Sequence, residues 1–278
     1  MPADRLRPLC QLPLSDLRGV RGVLTDIDDT LTDRGKIEPA ALDALQRLHG
    51  AGLPAIAITG RPAGWCEPFA MAWPVAAIVA ENGSVMLRRD GHTLRRDFTQ
   101  DAATRRAHLQ RLRHCAAAVL DAVPGAAQAR DSGGRLTDIA IDHSEFVHLD
   151  AAQIEAVIGV MGQYGLSASV SSIHVNGWIG EHTKATGARW AVQQALGWSF
   201  DAAQWLFVGD SSNDQAMFAM VPLSVAVANI DRFVPQLQVL PAYVTPSPRG
   251  RGFAEVVERL LAAQEPARVA RRQAPGSL

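Results

Sequence analysis

The stretch GVLTDIDDTLT, residues 22–32, carries an apolar run straight into three carboxylates, Asp26, Asp28 and Asp29, packed within four positions. Ionised groups this crowded repel one another unless a cation or a reaction uses them. Asp26 and Asp28, two apart where a strand breaks into a loop, can both approach one reacting atom, while Ile27 between them turns back into apolar packing. One carboxylate then suits a nucleophile and the other a general acid and base.

Three further groups have chemistry that matches. In ITGRP, residues 58–62, Thr59 offers a hydroxyl, Gly60 permits close backbone approach and Pro62 suits the first turn of a helix whose free amides face an anion. Lys184, in GEHTKATGARW just ahead of a helical pattern, is a fixed positive charge able to hold phosphate oxygens. In VGDSSND, residues 208–214, Gly209 gives a turn, Ser211 or Ser212 can cap a helix, and Asp210 and Asp214 supply hard oxygen ligands for magnesium. Taken singly, each has an ordinary alternative: Asp-rich loops are commonly turns or caps, and lone lysines are commonly solvated. Their order along the chain is what points to phosphate chemistry.

Most of these groups end apolar runs of strand length: 22–26, 53–59, 75–82, 205–210 and 223–229. Helical patterns lie at 39–52, 187–197 and 212–220. Continuous apolar strands alternating with helices predict an α/β fold, a doubly wound parallel sheet that binds its ligand beyond the carboxyl ends of the strands. The middle of the chain differs. An Asp-Gly turn in VMLRRDGHTLRRDF signals a hairpin over 85–98, followed by a helix at 101–122, a strand at 135–142, a helix at 151–165 and a strand pair within 167–180. This alternation predicts an inserted α+β domain. The expected division is a core of 1–85 and 176–262, a cap of 86–175 and a tail of 263–278 without fixed structure.

Length and composition are compatible with a globular enzyme: 278 residues, 47% hydrophobic, formal net charge -1. That balance gives no global attraction to nucleic acid or membrane, no apolar segment has membrane-span length, and the N-terminus lacks a signal-peptide core, so a cytoplasmic protein is expected. Cys10, Cys66 and Cys115 are far apart with no metal spacing and are expected as buried reduced thiols. Between Arg88 and Arg113, eight arginines face three aspartates, which reads as a solvated surface.

In combination, Asp26/Asp28/Thr30, Thr59, Lys184 and Gly209/Asp210/Asp214 resemble the signature of the haloacid dehalogenase superfamily of phosphatases. The long insertion between the threonine and lysine motifs, with AENGS at 80–84 and GDSSNDQAMF at 209–218, resembles the type II-capped subgroup (IIB, Cof-like and sucrose-phosphatase-like). The resemblance implies magnesium bound by Asp26, the Asp28 backbone carbonyl and Asp210, with help from Asn213 or Asp214. It implies that Asp26 attacks phosphorus, that Asp28 serves as acid and then base, and that Thr59, the Gly60 amide and Lys184 hold the phosphoryl oxygens. Two positions depart from the pattern: Asp29 stands where these enzymes commonly have Gly, and Ala-Thr-Gly follows Lys184 where many have Gly directly.

The expected partner is a small phosphorylated metabolite, a sugar phosphate, with selectivity set by the cap. His174 and Asn176 share one face of SSIHVNGW by alternation; they either reach the substrate or serve as hydrogen-bonded cap structure. DHSEF, residues 142–146, gathers polar groups at a strand end and is read as structural. Trp65, Trp73 and Trp178 fit core packing better than a sugar platform. A phosphomutase shares the Asp-x-Asp and stays the alternative, along with a catalytically idle binding module. A phospho-signalling receiver is disfavoured by the second aspartate and the insertion.

Overall fold

The computed structural model describes residues 6–273, with side chains through 264. These residues form two compact units: one comprises the chain through Ala55, Asp201–Asp210 and the part from Met217 on; the other comprises Ile56–Phe200 and Ser211–Ala216.

The first unit is an α/β layer on a parallel sheet. Strand Arg7–Pro8 pairs with Tyr243–Val244, which pairs with Leu223–Ala226, then Trp205–Gly209, then Gly22–Thr25, all parallel. Gly22–Thr25 and Trp205–Gly209 are buried at every residue, because a parallel sheet covered on both faces asks for unbroken apolar runs. Helix Pro39–Gly50 starts with Pro at its first position and buries Ala41, Ala44, Leu45 and Leu48, the spacing of one helical face. That face packs on helix Arg249–Gln273. Each fully buried Leu there contributes roughly 1.5–3 kcal/mol. The tail expected from 263 begins inside this helix; residues 274–278 lie outside the described residues.

In the second unit, strand Ala55–Ile58 runs parallel to Ala77–Ala80. The hairpin Val85–Asp90 and Thr93–Phe98 forms as its Asp-Gly turn requires, but it extends this sheet by pairing antiparallel to Ala77–Ala80, whereas the sequence placed it with the insertion. The reason is local: Val85, Met86 and Leu87 are fully buried, and their register against Ala80, Val79 and Ile78 continues the same apolar layer. The inserted layer has its own antiparallel sheet, in the order Ser167–Val170, His174–Trp178, Asp138–Asp142, Ala127–Gln128. Helices Ala102–Ala122 and Ala151–Gln163 supply its core, with Leu112, Cys115, Ala116 and Val119 meeting Val157, Met161, Ile141 and Val175. Asp101 caps the first helix, and an Asp150/Gln153 capping box starts the second.

The arginine-rich hairpin is solvated, Arg88 and Arg95 pairing with Asp97 and Arg96 with Glu67. Cys66 and Cys115 are buried as expected, and burial pushes the Cys115 thiol up to about 11. Cys10 is exposed, contrary to the expectation, at the outer edge next to strand Arg7–Pro8. No helix among the described residues is long and apolar enough to cross a membrane.

Candidate active site

In the first unit, Asp26 follows strand Gly22–Thr25 directly, and its amide donates to the Val208 carbonyl at 2.9 Å, continuing the ladder one residue beyond the strand. Asp210 follows the neighbouring strand Trp205–Gly209 in the same way. The two carboxylates are 4% and 0% exposed, and each offers an oxygen within 4.8 Å of the other. A buried pair of like charges this close favours a divalent cation, and hard carboxylate oxygens at adjacent strand ends are the donors magnesium takes. This donor set therefore fits the metal the resemblance implies.

Beyond Asp26 the chain folds tightly upon one carbonyl. The amides of Thr30, Leu31 and Thr32, and the Thr32 hydroxyl, all donate to the Ile27 oxygen, and Ile27 is buried as its alternation with Asp26 and Asp28 predicts. The turn displays Asp28 and Asp29, both half-buried. Asp29 takes φ +57°, a left-handed conformation that is costly for most residues and tolerable for Asp. Its strain is met by a clamp from distant sequence. Asn229 donates to the Asp29 carbonyl at 3.0 Å and also to Asp210 Oδ2 at 3.0 Å, while Arg232 and Arg249 reach the Asp29 carboxylate at 2.9 and 3.0 Å. Asp29 and its neighbour Asp33 hold the Arg249 guanidinium above its usual range, although burial opposes that.

In the second unit, Thr59 closes strand Ala55–Ile58, its amide bonded to Val79 and its hydroxyl accepting from the Arg61 amide at 3.0 Å. The adjoining turn Glu81-Asn82-Gly83 has three consecutive positive φ values, 49°, 56° and 114°. A Cβ at Gly83 would lie 2.2 Å from the Thr183 carbonyl, so only glycine lets the turn seat the start of helix Lys184–Leu196. Lys184 is the first residue of that helix, one position beyond its Thr183 cap, where the sequence had placed it just ahead of the helix. Its ammonium donates to Asp214 at 2.8 Å and Asn213 at 3.2 Å. The Ser211/Asp214 capping box orients that carboxylate, with the Ser211 amide donating to Asp214 Oδ2 at 3.2 Å.

Around Gly60 lie groups that the motifs did not identify. The Gly60 carbonyl accepts from Arg135 at 2.9 Å and from Asn176 at 3.2 Å, so Asn176 meets the Thr59 loop directly. His174, its partner by alternation, instead bonds Glu145 at 3.0 Å. Glu145 also accepts from Arg61 at 2.8 Å, and Arg61 reaches Asp131 at 3.0 Å. Burial opposes ionisation of Glu145, but its bonds from His174 and Arg61 prevail and hold its carboxyl down at about 2. Glu145 is therefore an acceptor at neutral pH, and the hydrogen between it and His174 belongs to the imidazole. Asp138 differs: burial pushes it up to about 7 against the opposing charge of Arg135. Arg61 and Glu145 stand in the singled-out stretches ITGRP and DHSEF, so the signal was present there; Asp142 in the latter is structural as read, accepting from the amides of Ser144, Glu145 and Phe146. Trp73 and Trp178 are buried, and Trp65 lies beneath the Arg61 guanidinium, 5.0 Å from its ring centre.

The family described as haloacid dehalogenase-like hydrolase matches residues 23–122. A phosphoglycolate phosphatase of Methanothermobacter thermautotrophicus is 26% identical over 87% of this chain and 99% of its own length. The sucrose-phosphatase of Synechocystis sp. PCC6803, solved with sucrose and phosphate, is 18% identical and superposes with a TM-score of 0.63 over 87% of this chain and 98% of its own. A sugar phosphatase of subclass IIB, 14% identical, reaches 0.61 over 88% of this chain and 100% of its own. The motifs, the α/β fold with its inserted cap and these likenesses agree: the chain resembles the haloacid dehalogenase-like hydrolases, most directly over residues 23–122, and the likenesses support a phosphatase.

Proposed function

We propose that the chain is a magnesium-dependent phosphomonoester hydrolase that acts through a phospho-aspartate on Asp26, with a small phosphorylated metabolite, a sugar phosphate, as substrate. The observation that carries this reading is the pair of buried carboxylates, Asp26 and Asp210, brought within 4.8 Å at the ends of adjacent parallel strands. Asp26, the Asp28 carbonyl and Asp210, with Asn213 or Asp214 from the same motif, are the residues that would hold magnesium. When bound, the cation screens the dianionic phosphate and makes approach by a carboxylate feasible.

The Asp26 oxygen forms a bond to phosphorus as the ester P–O bond breaks, and Asp28 gives its proton to the departing alkoxide. Asp28 then takes a proton from water as that water attacks phosphorus, which releases inorganic phosphate and restores Asp26. The half-exposed position of Asp28 beside a buried Asp26 suits these separate roles, since proton exchange needs access to water. Thr59, the Gly60 amide and Lys184 stabilise the phosphoryl oxygens. Lys184 fits this part: a cation in the first turn opposes the helix dipole, a cost that Asp214 and a bound anion both offset.

The inserted layer, from helix Ala102–Ala122 through strand His174–Trp178, is the cap that sets selectivity. Carboxylates, guanidinium groups and an imidazole around Arg61, Glu145 and His174 are the donors and acceptors a polyhydroxylated substrate asks for. The names of the relatives differ over substrate, so the test is magnesium-dependent phosphate release across a panel containing sucrose phosphate, hexose phosphates and phosphoglycolate. Highest kcat/KM on a sugar phosphate supports the reading, and a preference for phosphoglycolate overturns its substrate class.

A further inference from the structure

Arg135 Nη1 and Asn176 Nδ2, both from the inserted layer, converge on one acceptor, the Gly60 carbonyl, at 2.9 and 3.2 Å. That oxygen belongs to the Gly60–Arg61 peptide, whose own N–H donates to Thr59 Oγ1 at 3.0 Å. A peptide group is planar, so fixing the direction of its oxygen fixes the direction of its N–H. An N–H aimed at Thr59 Oγ1 then selects the rotamer of that hydroxyl. The contact is close: a Cβ at Gly60 would come within 3.1 Å of Asn176 Oδ1 and 3.3 Å of Asn82 Oδ1.

Both donors are themselves held. Arg135 is buried and bonds Asp138 at 2.8 Å and Asp131 at 3.3 Å. Asn176 lies in register opposite Ala140 on the central pair of the cap sheet, with Asp138 two residues along that strand. Neither side chain needs a substrate to reach Gly60.

We propose that Arg135 and Asn176 are positioning residues for the phosphate loop: by gripping the Gly60 carbonyl they orient the Gly60–Arg61 peptide and, through its N–H, the Thr59 hydroxyl. This rests on the reading of Thr59 as a phosphate-binding group. It gives the cap a part in catalysis apart from selecting the substrate, because the loop that meets the phosphoryl group is completed by cap side chains. Removing either donor then weakens binding of a bare phosphate, which has no sugar for the cap to recognise.

The test uses the full chain with magnesium and four variants: Asn176→Leu, which keeps size and removes the donor; Arg135→Lys, which keeps a charge beside Asp138; Thr59→Val; and Thr59→Val with Asn176→Leu. Hydrolysis of p-nitrophenyl phosphate gives kcat and KM, competition gives the inhibition constant of inorganic phosphate, and thermal unfolding verifies that each variant folds. The expected result is a loss of about fivefold in kcat/KM and in phosphate affinity for Asn176→Leu, a loss in the same direction for Arg135→Lys, and no further loss when Asn176→Leu is added to Thr59→Val. If Asn176→Leu leaves phosphate inhibition unchanged, or costs its full factor in the Thr59→Val background, the positioning role is overturned while the Thr59 reading stands. If Thr59→Val alone leaves phosphate inhibition unchanged, the reading of Thr59 fails and the inference goes with it.

Discussion

Lys184 Nζ donates to Asp214 Oδ1 at 2.8 Å with the lysine side chain 2% and the aspartate side chain 0% exposed. Losing one partner of such a pair leaves the other's charge buried, which typically costs about 3–5 kcal/mol, whereas replacing both by apolar groups costs far less. Lys184→Met is therefore expected to lower stability by roughly 3 kcal/mol, and Lys184→Met with Asp214→Leu to recover much of that while remaining inactive. Urea unfolding with phosphate-release assays checks both halves.

Glu81 is a buried carboxylate surrounded by donors: the amides of Ala63, Leu136 and Thr137 at 3.0, 3.0 and 2.6 Å, and the Thr137 hydroxyl. It ties the start of helix Ala63–Ala72 to the entry of strand Asp138–Asp142. Glu81→Gln turns an NH₂ toward some of these donors and is expected to cost about 2 kcal/mol, measured as a lower urea midpoint with an unchanged slope.

Asn229 bridges the Asp29 carbonyl and Asp210 Oδ2, both at 3.0 Å. Asn229→Ala is expected to destabilise the chain by about 1–2 kcal/mol and to weaken magnesium activation, seen as a higher metal concentration at half-maximal rate. Asp29→Gly removes both the +57° strain and the Arg232 and Arg249 contacts, terms of opposite sign, so its stability is expected within about 1 kcal/mol of wild type.

Glu145 titrates near 2 in the folded chain against 4.5 for an unperturbed group. The stability it contributes is fully present above 4.5 and is lost as pH falls toward 2, because the unfolded chain takes up the proton first. Glu145→Gln is expected to flatten the fall in stability across that window, followed by denaturation midpoints at successive pH values. An unchanged acid limb would place the depressed carboxyl elsewhere.

The sequence made the strand-end chemistry legible because period and punctuation are local. An unbroken apolar run ending in Asp26, Thr59 or Asp210 needs only its neighbours to be recognised. The partners of those residues were not legible for the opposite reason: Asn229 and Arg249 reach Asp29 from 200 and 220 positions away, and no local pattern distinguishes them. The hairpin at 85–98 shows a third case, in which the elements were predicted and their sheet was not, because a turn motif fixes which strands pair with each other and says nothing of the strand beyond. Asn176 was singled out by alternation with His174, yet the two side chains have different partners, Gly60 and Glu145.

The central claim is nucleophilic catalysis by Asp26. The most direct measurement is phosphate release from p-nitrophenyl phosphate by wild type and Asp26→Asn, each with and without magnesium. Metal-dependent turnover in wild type that drops by at least about 10³-fold in a folded Asp26→Asn is the predicted result, and equal turnover in both proteins would contradict it.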